Sequence, residues 1–280
     1  MKFAPLAVAT TALSEGQTPV GKNISVSEVT ATVYEYGDFV RYSKLLSKVA
    51  IDPVVTEIAE LLGYQAGKTF DTLARDVMVA GCTTQYASTA AARTDITAAM
   101  VLSAAEIYEA LSTIEAADGL PLDGGKFAGI MHPKPKYDLM RDSTFVNTAL
   151  YATEPGKANP MHTYKFAEWL GIDWYVTSNA KVYEDGGYGS AVDVYKTLII
   201  AKNAVGVGGL AGDIPGNIAN SLQDPNTGKS VSPLALKYVE PAPSPSDPLG
   251  QRGSVGWIST FVCVVLDANW IVGIEHGATL

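Results

Sequence analysis

Residues 52–81 read DPVVTEIAELLGYQAGKTFDTLARDVMVAG. Val54, Ile58, Leu61, Leu62, Phe70, Leu73, Val77 and Met78 recur mostly at spacings of three or four, the period of a helix that buries one face. Asp52-Pro53 supplies a start, an acidic N-cap followed by proline in the first turn, and Gly81 supplies a stop. About 28 residues at 1.5 Å each make a helix of roughly 42 Å. A compact chain of this length has a radius of gyration near roughly 19 Å, so such a helix would cross nearly the whole of it. Gly63 and Gly67 lie inside, each costing about 1 kcal/mol against alanine, and mark a bend, a close backbone approach or a split of the helix in two.

Upstream of the helix the period changes. Residues 24–36 alternate in the strand manner, with Val29, Ala31 and Val33 on one face and Thr30, Thr32 and Tyr34 on the other. Gly37-Asp38 reads as a break, and Phe39 to Tyr42 resumes the extended pattern. Residues 1–23 have no sustained period and read as an arm. A two-stranded extension is marginal alone in water, so residues 17–42 are expected to be mobile in a free subunit.

Downstream the pattern is mixed. A helix is expected from Asp95 to about Ala116, a short buried strand over Phe127 to Met131, a helix from Tyr137 to Tyr151 and a short one over Phe166 to Leu170. Strands are expected over Ile172 to Thr177, Lys181 to Tyr183 and Val231 to Val239, and Val192 to Ala204 reads as a strand that turns helical. Val255 to Leu266 and Trp270 to Glu275 read as a hairpin across Asp267-Ala268-Asn269. The fold class is α+β.

Composition narrows the function. The chain has 280 residues, 47% hydrophobic and 18% charged, with a net charge of −9. The low charge excludes a disordered chain and points to surface covered by other molecules. The acidic balance excludes a conventional nucleic-acid reader, which needs a basic footprint. No apolar run reaches about 18 residues, so no membrane helix is expected. The stretch from Met1 to Ala9 is too short, and too interrupted by Pro5, for a secretory signal. Cys82 and Cys263 read as small buried hydrophobes of a reducing compartment, with a disulfide staple as the alternative.

Motifs for chemistry fail on context. Gly63 to Thr69 resembles a phosphate loop but has three residues between its glycines, with Leu62 where the first glycine should stand. A helix points its N–H groups at its own carbonyls, so Lys68 is not expected to hold phosphate. Gly206 to Gly212 has dinucleotide-loop spacing with Ala211 in the last position, but Asp213-Ile214-Pro215-Gly216 follows instead of a helix. Of His132, His162 and His276, none pairs at metal-ligand spacing, and surface or capping positions are expected. No catalytic set, cofactor or metal is expected. A soluble α/β enzyme using the Gly206–Gly212 loop for a nucleotide is the alternative function, and a secreted surface-layer protein is another.

Several segments are familiar in their order: Glu15-Gly16-Gln17-Thr18-Pro19, Tyr36-Gly37-Asp38-Phe39, Gly67-Lys68-Thr69-Phe70-Asp71-Thr72-Leu73-Ala74-Arg75-Asp76, His132-Pro133 with Tyr137-Asp138-Leu139, Thr177-Ser178-Asn179-Ala180, and Asp247-Pro248-Leu249-Gly250-Gln251 running into Gly253-Ser254-Val255-Gly256-Trp257. With them, the order arm, β extension, long helix and α/β remainder resembles the tailed-phage major capsid fold of the Hong Kong 97 type. It resembles in particular the major capsid family of N-four-like phages. The sequence departs from that family at Ile258, where lysine is frequent, at Thr83 to Arg93, which is shorter, and at residues 156–165 and 210–230.

The resemblance implies a structural protein. It implies an arm at 1–14, an extended loop at 15–44, a spine helix and peripheral domain at 45–95, a mixed peripheral and axial region at 96–250, and a C-terminal hairpin at 251–280. It implies pentamers and hexamers of an icosahedral shell around double-stranded DNA, assembled in the host cytoplasm with a portal and a separate scaffold. Contacts between copies are expected from Val29, Ala31, Val33, Tyr34, Tyr36, Phe39, Arg41, Gly63, Gly67 and Lys68. The family-motif residues Asp71, Arg75, Asp76, His132, Pro133, Tyr137, Asp138, Pro248, Leu249, Gly250, Gln251, Gly256 and Trp257 are expected to matter to the fold.

Overall fold

The structure, a computed structural model, describes residues 2–279 except 4–5, 7, 11, 13–14, 17–20, 25, 50–52, 123, 145–167, 209–235 and 244–246. It divides into two units, residues 1–32 and 33–280. In the first, β1 (Lys2–Phe3) pairs antiparallel with β2 (Val26–Ser27). Residues 28–33 form no strand, so the alternation at Val29 to Val33 does not mark one.

The second unit opens with β3 (Tyr34–Ser43), α1 (Lys44–Val49) and α2 (Val54–Gly81). There follow β4 (Thr83–Tyr86), α3 (Ala104–Ala116), β5 (Phe127–Met131), α4 (Pro133–Arg141), β6 (Glu168–Trp169), β7 (Ile172–Val176), β8 (Val182–Tyr183) and β9 (Val194–Ile200). The chain ends in β10 (Val205–Gly208), β11 (Leu236–Val239), β12 (Arg252–Val265) and β13 (Ile271–His276).

α2 has the length its periodicity indicates, 28 residues. Its N-cap is Pro53, with no side-chain cap; Asp52 lies outside the described residues. Leu62 and Ala66 are buried and join Tyr42, Val255 and Trp257 in one core, with Ile58, Phe70 and Tyr36 packed around it. Tyr36 and Tyr42 come from β3, and Val255 and Trp257 from β12. The Phe70 ring meets Trp257 edge-on at 5.6 Å, a favoured aromatic geometry.

β12 organises the first sheet. β3 runs antiparallel to it from Arg252 opposite Ser43 to Phe261 opposite Tyr34. β11 also pairs with it, with Leu236 opposite Trp257, and β10 pairs with its C-terminal end, with Val205 opposite Val265. β3 therefore passes through Gly37-Asp38 without a break. A Cβ on Gly37 would lie 2.6 Å from the Trp257 carbonyl oxygen, so the glycine permits close strand approach. The expected mobility of residues 17–42 is corrected for residues 34–42, which are paired along β12.

The second sheet runs β4-β13-β9-β5-β7-β6, with β8 also on β9. β13 is parallel to β4 and β5 is parallel to β7; the other pairs are antiparallel. β12 and β13 thus belong to different sheets and do not form the expected hairpin. A short turn at Ala268–Trp270 separates them, and β13 is buried along its length. A strand buried on both faces needs partners on both edges, and β4 and β9 provide them.

Other expectations shift. α3 begins at Ala104, where the Glu106 carboxylate accepts from the Ser103 N–H at 3.0 Å and from its hydroxyl, and Asp95 instead closes a short turn by accepting from the Ala92 N–H. α4 starts at Pro133, earlier than Tyr137, and ends at Arg141; residues 145–151 lie outside the described residues. Glu168–Trp169 is a strand, not part of a helix, since it pairs with Trp169 opposite Ile172. β9 does not turn helical: Asn203, at φ +58°, reverses the chain into β10. The strand expected from Val231 is described only from Leu236.

Trp257 holds the first sheet to α2. Trp257→Ala is expected to lower unfolding free energy by about 3–5 kcal/mol in chemical denaturation. The indole N–H is buried without a hydrogen-bond partner. Trp257→Phe, which removes that N–H and keeps an aromatic ring, is therefore expected to cost much less.

Candidate functional site

The motif on α2 and the motif after β7 meet. Arg75 donates to the Asn179 carbonyl at 2.6 Å and to its side-chain oxygen at 3.1 Å. The Asn179 amide donates to Asp71 at 2.5 Å and to Thr72 at 3.1 Å. Asp76 takes Arg75 at 2.8 Å and Lys181 at 3.5 Å. A network of this kind fixes the rotation and height of α2 against the second sheet. Its members lie more than a hundred residues apart, so the sequence shows each half without their meeting.

A second junction closes the C-terminal end. His132 caps α4, its Nδ1 accepting from the Lys134 N–H at 3.2 Å, with Pro133 in the first turn. Burial, then the neighbouring Lys134, lowers its pKa. Tyr137 packs under the Arg141 guanidinium at 5.3 Å. Asp138, nearly buried, accepts from the Thr279 N–H at 3.0 Å and from the Thr279 hydroxyl. His276 is not at the surface, as expected from sequence, but fully buried: Nε2 meets the Thr197 hydroxyl at 2.9 Å and Nδ1 the Gly277 carbonyl at 2.8 Å. His162 lies outside the described residues.

The most buried charges were not singled out from sequence. Glu275 on β13 receives a bidentate Arg93 at 2.8 Å and Lys196 of β9 at 3.1 Å. Lys196 also donates to Thr84 on β4 at 3.0 Å and to the Val79 carbonyl in the last turn of α2 at 3.4 Å. Arg93 lies 3.5 Å from the centre of the Tyr183 ring. Burial alone would raise the Glu275 carboxyl, but its two cations outweigh that and hold it below the usual carboxylate range. The signal was present: a glutamate in IVGIEH and a lysine in VYKTLII sit in strands too apolar to leave a charge unpaired.

The expected contact residues divide. Val29 and Ala31 belong to the first unit, and Ala31 is exposed. Val33 precedes β3. Tyr36 turns toward α2, whereas Tyr34, Phe39 and Arg41 are exposed, with the Arg41 guanidinium 5.2 Å over the Phe39 ring. Gly63 and Gly67 have open space at their Cβ positions, and Lys68 is exposed. In the Asp247 turn, the carboxylate accepts from the N–H groups of Gln251 and Arg252 at 2.8 and 2.9 Å. Gly250 sits at φ +58°, where a Cβ would crowd Pro243 at 2.8 Å; Pro248 lies within the turn and Leu249 is exposed. Gly256 lets β3 approach, since its Cβ would meet that of Phe39 at 2.6 Å.

Lys68 is inside α2, and Gly206 and Gly208 are in β10, paired with β12; residues 209–212 lie outside the described residues. Among the described residues no three acidic, histidine or cysteine side chains cluster to hold a metal, and no helix is long and apolar enough to cross a membrane. Both cysteines are half-buried free thiols, so no disulfide joins them.

Residues 27–272 match the model of the family described as phage capsid protein. The chain belongs to the phage capsid protein family. The structure aligns with the capsid protein of Ralstonia phage GP4 at a TM-score of 0.67 and 13% identity, covering 94% of this chain and 80% of that one. It aligns with that of cyanophage Pam1 at 0.65 and 15%, covering 99% and 83%, and with that of cyanophage P-SCSP1u at 0.65 and 13%, covering 96% and 80%. A search of curated proteins returns no match. The fold is the Hong Kong 97 type, and this phage capsid protein has a structural role, as a major capsid protein of an icosahedral shell.

Two predictions follow from the buried groups of the capsid protein. Glu275→Ala strands Lys196 and Arg93 and is expected to cost about 3–5 kcal/mol in chemical denaturation. His276 has its pKa pushed down to about 4, chiefly by burial. Its fold therefore binds fewer protons than the unfolded chain. Its contribution is full above about pH 6.5, falls as pH drops toward about 4, and amounts to about 3 kcal/mol. Replacing His276 by Gln should flatten that part of the stability–pH curve.

Proposed function

We propose that this capsid protein is the principal shell subunit of an N-four-like tailed phage. Rings of five and six copies close an icosahedral shell around double-stranded DNA in the host cytoplasm, together with a portal and a separate scaffold. In this reading the first sheet and α2 are the peripheral domain and the second sheet is the axial domain. Residues 1–14 are the arm, and the loop from 15 onward, with Tyr34, Phe39 and Arg41, serves neighbouring copies. The low charge and net −9 suit a container that encloses DNA without gripping it.

The supporting observation is exposed apolar surface on ordered elements. Leu61 and Tyr64 on α2 are 68% and 73% exposed, and Leu45, Phe39, Tyr238 and Val239 are also exposed. These side chains lie on more than one face of the unit, and a shell subunit covers such faces with neighbouring copies. The purified protein, alone or with its scaffold, is expected to form rings, shells or tubes in negative-stain images, with light scattering rising with concentration. A strictly monomeric protein in every condition would overturn the reading.

A further inference from the structure

Resting on that reading, we propose that the open face of the first sheet in one copy receives the outward ridge of α2 from the next copy. α2 covers the sheet face that carries Tyr36, Tyr42 and Trp257. The other face is left to solvent as a groove of about 500 Å³, lined by Glu35, Phe39, Lys237, Val239 and Ile258 among others. Along β3 this face presents Arg41, then Phe39, then Glu35, because alternate residues share a side. The order is cation, aromatic, anion, over roughly 20 Å at about 3.3 Å per residue. Arg252 lies diagonal to Arg41, opposite Ser43, at roughly 7–8 Å.

Among the described residues neither Arg41 nor Arg252 is in an ion pair. Asp247 and Glu240 line the same pocket as Arg41 and Arg252; the Asp247 carboxylate is engaged by the Gln251 and Arg252 N–H groups. In a chain of net charge −9, such a face is complementary to the rest of the molecule.

The ridge carries the reverse order. At 100° per residue, Glu57, Tyr64 and Lys68 lie on the side of α2 opposite Leu62, flanked by Glu60 and Leu61. All five are exposed, and among the described residues Glu57 and Glu60 are in no ion pair. The order is anion, apolar, cation, and Glu57 to Lys68 spans roughly 16 Å. Laid antiparallel on the groove, Glu57 and Glu60 reach Arg41 and Arg252, Leu61 and Tyr64 meet Phe39 and Ile258, and Lys68 reaches Glu35. Gly63 and Gly67 have nothing within 4 Å of their Cβ positions, so Tyr64 stands proud between them. The two surfaces are outer faces of one two-layer unit, so the contact is head-to-tail, the kind that closes into rings.

The test is charge reversal on each surface. Arg41→Glu with Arg252→Glu, and separately Glu57→Lys with Glu60→Lys, should each lower the assembled fraction in sedimentation velocity by about tenfold or more. Circular dichroism should be unchanged, since all four side chains are exposed. The fourfold variant should recover assembly. Mixing the two double variants should also recover it, but only in rings of even number, because unlike subunits must alternate. Double variants that assemble like wild type would overturn the contact. So would a folded fourfold variant that stays unassembled, or loss of an acidic scaffold's binding while self-assembly persists. If the wild type itself never assembles, the shell reading falls first, and the contact with it.

Discussion

The ten-residue register between β3 and β12 is the constraint on which the rest depends. A helix of 28 residues is stabilised mainly by what its apolar stripe covers, and here that cover is the sheet β3 and β12 make together. Tyr42, Val255 and Trp257 lie on one face of that pair and close over Leu62 and Ala66. Slipping β3 by one residue would turn Tyr36 and Tyr42 away from α2. Gly37 and Gly256 permit the register, because a Cβ at either would press on the facing strand.

β12 also sets the boundary between the two sheets. It ends at Val265, and after the turn at Ala268–Trp270 the chain enters the second sheet as β13. The C-terminal turn of α2 meets the same place, where Lys196 joins the Val79 carbonyl to Glu275 and Thr84. One ammonium thereby links the long helix to three strands. Buried ion pairs of this sort add little net stability against apolar replacements, and their use is to penalise other arrangements. The Arg75–Asn179 network performs the same positioning from the exposed side of α2.

For a capsid protein the division of surface is informative. The faces that α2 and the first sheet turn toward each other are closed and apolar, while their outward faces keep aromatic and aliphatic side chains in solvent beside charges that make no ion pair among the described residues. Identity to the solved capsids is 12–15% among several of the most similar, so what these proteins share is the arrangement of elements, and each chain's outward residues are its own.

The sequence by itself determined the length and buried face of α2 and the strand Phe127–Met131, because each is a matter of local period. It also carried the order of motifs that resembles the capsid family. Only the tertiary structure decided that β12 and β13 part into different sheets, that β3 runs through Gly37-Asp38, and that Asp71 and Arg75 meet Asn179. Alternation shows that a residue is buried but not what it is buried against, and a glycine that breaks a strand looks the same as one that lets another strand come close. The Arg93–Glu275–Lys196 cluster lies between: Glu275 and Lys196 are each visible in an apolar strand, but the partners of Glu275 come from 79 and 182 positions away, Lys196 across the sheet and Arg93 from the turn at Arg93–Asp95.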